Sequence, residues 1–425
     1  MTQFQQAIET AQPVAAVIIS VALMLFSGFL MTRITKLLRL PNVTAYIVAG
    51  ILIGPYCLDR VPQRIISGTD FLSDIALAFI AFSTGEFFKL SVLKKSGMKV
   101  VWITLFEAVL ASVFVFVLTY FVFRLELAFS IVLAALASAT APASTMMTIR
   151  QTGAKGDFVD TLLQVVALDD VVGLVLYSVA ISVALASLGG SRGFSFETLV
   201  KPVLLNLAAL ALGGLFGLVM KLLMPARRST DNKLIISVAL LFAFCGVCTL
   251  LDVSPLLGCM AMGTVYTNVA ENDKLFKQLG YFSPPILLLF FVRSGMNFKL
   301  DALFSASGSL NGVPLIAVGV GYFLVRIAGK YAGAWFGCAA VKKDRLVRNY
   351  LGLALIPQAG VAIGLAALGA RTLGGVMGSD LETIILASSV LYELLGPGCA
   401  KLALYLSKSY STKLEDLAVV PETTE

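Results

Sequence analysis

Apolar stretches close to the thickness of bilayer hydrocarbon recur along this chain from residue 13 to residue 405. A run of about 20 apolar residues is long enough to cross a bilayer as a helix. Only closed hydrogen bonding satisfies backbone N–H and C=O groups in lipid. Spans are predicted at 13–32, 42–56, 71–88, 100–123, 128–148, 158–186, 198–220, 234–251, 255–269, 280–296, 312–339, 349–368 and 381–405. The chain therefore reads as an all-α polytopic membrane protein of about thirteen transmembrane helices, one membrane domain over residues 1–425. Only 13% of its residues are charged, about half of what a soluble domain carries.

Residues 1–12 contain no Lys or Arg and include Glu9. No basic region precedes the first apolar run, so the first helix is expected to stay in the mature protein. The formal charge of +7 does not point to nucleic acid, because in a polytopic protein Lys and Arg mark the cytoplasmic loops. The connections after the odd-numbered helices, with the C-terminal end, hold roughly three times as many Lys and Arg as the alternate connections. Arg33, Lys36, Arg39, Lys94, Lys95, Arg227, Arg228, Lys342, Lys343, Arg345 and Arg348 are among them. An odd helix count follows, with the N-terminus outside and the C-terminus cytoplasmic. Cys245 and Cys248 form a CxxC inside an apolar run, and the chain has no His, so helix packing is the expected role rather than zinc or redox chemistry.

An internal repeat is legible. Gly85, Phe88, Lys89 and Leu90 match Gly295, Phe298, Lys299 and Leu300 at an offset of 210 residues. Gly54 and Gly263 correspond at 209, and Pro142 and Pro357 interrupt apolar helices at 215. This offset spans seven predicted helices, an odd number, so the copies must cross the membrane in opposite directions. The division expected is a first repeat at 13–186 (helices 1–6), a linker helix at 198–220, a second, inverted repeat at 234–405 (helices 8–13), and a short cytoplasmic tail at 406–425. Inverted repeats of this kind build secondary transporters around a midplane site.

The fifth span contains Ala-Ser-Ala-Thr-Ala-Pro-Ala-Ser-Thr at 137–145, with Ser138, Thr140 and Pro142. The twelfth contains Leu-Ile-Pro-Gln-Ala-Gly-Val-Ala-Ile-Gly at 355–364, with Pro357 and Gln358. Proline removes a backbone donor and frees a carbonyl one turn earlier. Two such breaks crossing at the midplane would present partial charges to a small ion.

Carboxylates at the bilayer centre cost roughly 2.5–3.5 kcal/mol each on insertion scales, yet Asp169 and Asp170 stand side by side in the sixth span. Neighbouring helical residues point about 100° apart, so one faces a cavity while the other turns to a different helix. A buried carboxylate holds a proton or a cation, not both, which is the elementary requirement of exchange. Arg326 and Lys330 share one face of the eleventh span, and either could neutralise the Asp that turns away. Glu107, Arg293 and Glu393 are also intramembrane and read as structural ion pairs. Glu86 and Lys89 read as snorkelling near a boundary.

A Thr-Ala-Pro break, an Asp-Asp pair on the next helix, a Gly-Lys-x-x-Gly helix and a second break reading Ile-Pro-Gln-x-Gly-Val-Ala resemble the bacterial monovalent cation/proton antiporters, in particular their second family. The resemblance covers nearly the whole chain. It implies a sodium/proton antiporter fold, a homodimer, and a core that moves like an elevator against a dimerisation domain. It implies that Asp170 carries sodium, lithium or a proton, that Thr140 offers a polar ligand, and that Asp169 pairs with Lys330 in the proton-loaded state. It further implies electrogenic exchange, as in members with two acidic residues at this position, in the plasma membrane, with no cofactor beyond the transported ions. Ala141 stands where some sodium exchangers have an acidic residue, which keeps a potassium/proton antiporter open, and behind it a sodium-coupled organic-anion symporter. A regulatory nucleotide-binding domain, as in the potassium-efflux branch, is not expected.

Overall fold

The computed structural model describes residues 13–37, 42–90, 97–141, 145–146, 148–149, 152–188, 196–225, 227–251, 255–270, 274–298, 309–310, 312–358 and 360–410. Pro142, Lys299, Leu300 and residues 411–425 of the expected tail lie outside them. The described residues form 16 α-helices and one two-residue hairpin at Ser309–Leu310 and Val313–Pro314. In chain order the helices are α1 (Pro13–Leu37), α2 (Asn42–Ile53), α3 (Gln63–Gly68), α4 (Phe71–Thr84), α5 (Met98–Phe116), α6 (Leu127–Leu136), α7 (Asp157–Leu188) and α8 (Phe196–Leu223). They continue as α9 (Thr230–Leu250), α10 (Leu256–Val269), α11 (Lys274–Phe282), α12 (Pro284–Met296), α13 (Leu315–Ala340), α14 (Arg345–Ala354), α15 (Gly360–Leu373) and α16 (Gly375–Leu406).

Seven of these helices are long and apolar enough to cross a membrane by themselves, and α11 with α12 makes a further candidate bent by 49°. Five more apolar helices are shorter. Thirteen crossings therefore require the short helices to count as spans. The expected spans are modified in several places, besides the breaks read within 128–148 and 349–368. The helix read at 71–88 tightens into a 3₁₀ turn at Gly85–Phe88. The span read at 280–296 is the second limb of the bent pair, whose Pro284 and Pro285 start a new helix at Ser283. The final span begins at Gly375 rather than 381.

Two groups of helices pack chiefly among themselves. In one, α2 lies on α12, α4 on α10, and α8 on α10; in the other, α5 lies on α13, α6 on α7, and α14 and α15 on α16. The principal contacts between the groups are α7 with α8, α4 with α15, and α7 with α10.

Backbone proximity within each group depends on glycine, as expected where helices associate without a hydrophobic driving force. A Cβ on Gly295 would sit 2.2 Å from the Ile47 carbonyl oxygen, and one on Gly263 would sit 2.1 Å from that of Phe82. Gly54 likewise faces Met296, while Gly85 faces Gly263. Shifting by 209–210 residues carries the α2–α12 crossing onto the α4–α10 crossing with partners exchanged, the reciprocal pattern an inverted repeat demands. In the second group Gly329, Gly333 and Gly337 lie against Ala111, Glu107 and Ile103 of α5.

A Cβ on Gly333 would approach the Glu107 Cα to 2.4 Å, so Gly333→Ala must push α5 away. The expected loss is about 1–3 kcal/mol, read as a lower Tm in detergent. Gly246→Ala, inside α9 where the added carbon meets nothing within 4 Å, should not lower Tm.

Candidate functional site

The site forms where two interrupted helices meet. Helix α6 ends at Leu136 and α14 at Ala354; single turn bonds close each end, and Ala139–Ala141 and Ile356–Gln358 are non-helical. The last carbonyls of a helix have no intrahelical donor and carry its partial negative charge. In the interior those carbonyls need donors. Part of the demand is met by the other break: the Ala141 N–H donates to the Pro357 carbonyl at 2.9 Å. Gln358 donates through Nε2 to the Leu136 carbonyl at 2.7 Å and accepts from the Tyr322 hydroxyl at 3.0 Å. Thr145 donates to the Ala354 carbonyl at 3.4 Å.

The remaining donors come from α13. Tyr322, Arg326 and Lys330 recur every four residues, so one face presents all three to the crossing. Arg326 is fully buried and donates to carbonyls of both breaks: Nε to Ala137 at 2.9 Å, Nη2 to Ala139 at 2.6 Å, and Nη1 to Ile356 at 2.8 Å. Its guanidinium also lies over the Tyr392 ring, 4.6 Å from the centroid, and the Tyr392 hydroxyl donates to the Phe323 carbonyl at 2.9 Å. One cation thus holds two negative helix ends together. The alternative in which Arg326 neutralises an Asp is not what the geometry displays. Its guanidinium donates instead to the Ala137, Ala139 and Ile356 carbonyls.

Lys330, also fully buried, is the residue that meets the carboxylates. Its ammonium donates to the Ser138 carbonyl, to Thr140 Oγ1 at 2.9 Å and to Asp169 Oδ2 at 2.7 Å. Glu107 Oε2 lies at the same 2.7 Å in an ion-pair contact. The sequence reads Glu107 as part of a structural ion pair, and the structure forms that pair with Lys330, inside the site. The only hint was an intramembrane carboxylate, since nothing in the sequence shows that Gly333 brings α5 against Lys330.

The two aspartates are inequivalent. Asp169 is held by Lys330, whereas Asp170 is 2% exposed and its Oδ1 accepts no hydrogen bond. Gly173, one turn on, leaves room for the first break, because a Cβ there would meet Ser138 Oγ at 3.1 Å. Thr140 accepts from Lys330 and leans toward the Leu355 carbonyl at 3.5 Å, leaving one lone pair on its hydroxyl. Glu107, Asp169 and Asp170 against Arg326 and Lys330 leave one carboxylate in excess, which suits a monovalent cation. Among the described residues no group of three or more Cys, Asp or Glu side chains is arranged to hold a resident metal.

Arg293 stands elsewhere. It pairs with Asp70 and donates to the Ile66 carbonyl at 3.0 Å and to Ser73 Oγ at 3.3 Å. Its carboxylate partner is thus at the end of α4, not an intramembrane residue. Glu393 is buried on α16.

The sequence profile of the sodium/hydrogen exchanger transmembrane family matches residues 20–402. The chain belongs to the sodium/hydrogen exchanger family. Its members are transporters and antiporters in the membrane, and the monovalent cation/proton antiporter resemblance read from the motifs holds. The fold is similar to that of the sodium proton antiporter MjNhaP1 from Methanocaldococcus jannaschii at pH 8, with a TM-score of 0.75 at 18% identity over 93% of this chain and 100% of that one. A second structure of MjNhaP1, from electron microscopy, superposes with a TM-score of 0.72 at 19% identity, covering 95% and 100%. No curated protein sequence matches this exchanger.

Removing one partner of a buried charge cluster strands the rest, at about 3–5 kcal/mol. Lys330→Ala should therefore lower Tm strongly and Lys330→Arg less. Adding Glu107→Gln to Lys330→Ala should recover part of the loss. Equal Tm values for the single and double variants would contradict the shared ion pair.

Proposed function

We propose that this exchanger is an electrogenic sodium(lithium)/proton antiporter in which Asp170 carries either the cation or the proton. The observation that supports this most is the inequivalence of the paired aspartates: Lys330 pairs with Asp169 Oδ2, while the buried Asp170 pairs with no cation among the described residues. A carboxylate in that setting is neutralised by a proton or by sodium, and the two compete for the same charge. Thr140 and the break carbonyls that Arg326 and Lys330 leave unused are further oxygen ligands for a small hard cation. No resident cofactor is required.

Transport then follows from the two packing groups. In our reading the group holding both breaks is the mobile core and the group built on α2, α4, α10 and α12 is the scaffold of a homodimer, with elevator-like sliding at the sparse seam exposing Asp170 to each side in turn. The chain would run with its N-terminus outside and its C-terminus in the cytoplasm of a plasma membrane, its repeats 13–186 and 234–405 flanking the linker 198–220.

Electrogenicity needs a second proton-carrying group. We assign that part to Lys330, which shares the cluster with Asp169 and Glu107. Ala141 supplies no side-chain oxygen to the first break, which favours a roomier site and keeps potassium as the second reading. A panel of sodium, lithium and potassium against purified protein in liposomes decides between them.

Asp170→Asn should abolish cation-dependent proton release in proteoliposomes while keeping the fold, and retained exchange would remove the mechanism. A potassium/valinomycin potential should change the sodium/proton exchange rate at a fixed pH gradient. A rate indifferent to the potential would mark electroneutral exchange.

A further inference from the structure

A cavity of about 260 Å³ opens on the face where α4 begins, α12 and α15 end, and α16 begins. The basic-loop bias of the sequence makes this the outer face. Asp70, Ser73, Arg293, Arg371, Ser379 and Glu382 line it, together with the buried Ala367.

At the edge of this cavity Arg371 of α15, one of its lining residues, grips Asp74 of α4 with two hydrogen bonds, Nη2 to Oδ1 at 2.5 Å and Nη1 to Oδ2 at 3.0 Å. The partners are 297 residues apart in sequence and belong to different packing groups, α4 to one and α15 to the other. Beneath them the seam is close, since a Cβ on Gly364 of α15 would lie 1.8 Å from Leu77 Cδ2 of α4. Glu382 on α16 acts electrostatically on both Arg293 and Arg371. The network therefore ties α4 and α12 to α15 and α16 at one end of the seam, and Arg371–Asp74 is the bidentate ion pair that crosses it.

We infer that the Asp74–Arg371 pair is a latch that holds the outer seam closed and biases the carrier against its outward-open form. This rests on the alternating-access reading above, in which α15 moves with the core. Opening the cavity to the depth of Asp170 requires α15 to part from α4, and the fork is the polar tie that must break first. A partly exposed pair contributes a modest bias, as suits a gate that opens in every cycle.

The test uses the full chain in right-side-out vesicles with the exposed Cys57 replaced by Ser and a reporter thiol at the cavity floor, Ala367→Cys. Labelling by a membrane-impermeant maleimide should speed up about threefold in Asp74→Asn and in Arg371→Gln. It should return toward the starting rate in the swap Asp74→Arg/Arg371→Asp. Unchanged labelling in the single variants, or no recovery in the swap, overturns the latch. Hydrogen exchange over Gly360–Leu373, measured without the reporter thiol, should rise in the same single variants, and unchanged exchange there overturns it equally. Sodium/proton exchange by the unmodified protein is measured alongside. If that flux is absent while labelling still responds, the transport reading fails and the closed seam stands.

Discussion

Two cations on one face of α13 hold this protein's interior in order. Breaking a helix inside a membrane leaves carbonyls with no water to turn to, and the cost is prohibitive unless protein donors replace the lost hydrogen bonds. Here Arg326 takes carbonyls from both breaks and Lys330 takes one more before engaging Asp169 and Glu107. The division of labour follows from chemistry. A guanidinium has five donors in a fixed plane and suits several fixed carbonyls at once. An ammonium is a compact point charge, and it sits among the carboxylates.

That arrangement separates a rigid part from an adjustable one. Arg326, Tyr392, Tyr322 and Gln358 form a chain of buried contacts that fixes how the breaks cross. The glycine stripe of α13 brings α5 within backbone distance and so delivers Glu107 to the cluster. Asp170 is left at the edge of this network, buried but with an oxygen that nothing fills. In the proposed mechanism this is the carboxylate that a proton or a cation neutralises.

Much of this was readable in advance, and the misses have a common cause. Apolar runs, the basic-loop bias, the offset glycines and the Asp169–Asp170 pair are local or periodic signals, so the membrane fold and the central carboxylates could be named from residue order. The four-residue spacing of Arg326 and Lys330 placed both toward one neighbour but left open which would meet an aspartate. Tyr322, one turn earlier on that face, carried the same signal. Glu107 was visible as a charge out of place but not as a partner of Lys330. Asp74 and Arg371 lie at helix ends, where charged residues are ordinary, and their pairing leaves no local trace.

Residue order by itself determined that the chain must be helical in lipid and that a few charges are buried at a cost demanding a use. Those conclusions depend on the solvent and on periodicity along one helix. Only the tertiary structure decided which cation serves which negative group, that Glu107 joins the central cluster, and that α15 is tied to α4 at one end of the seam. Such pairings depend on how closely backbones approach, and that distance is set by glycines and breaks hundreds of residues apart.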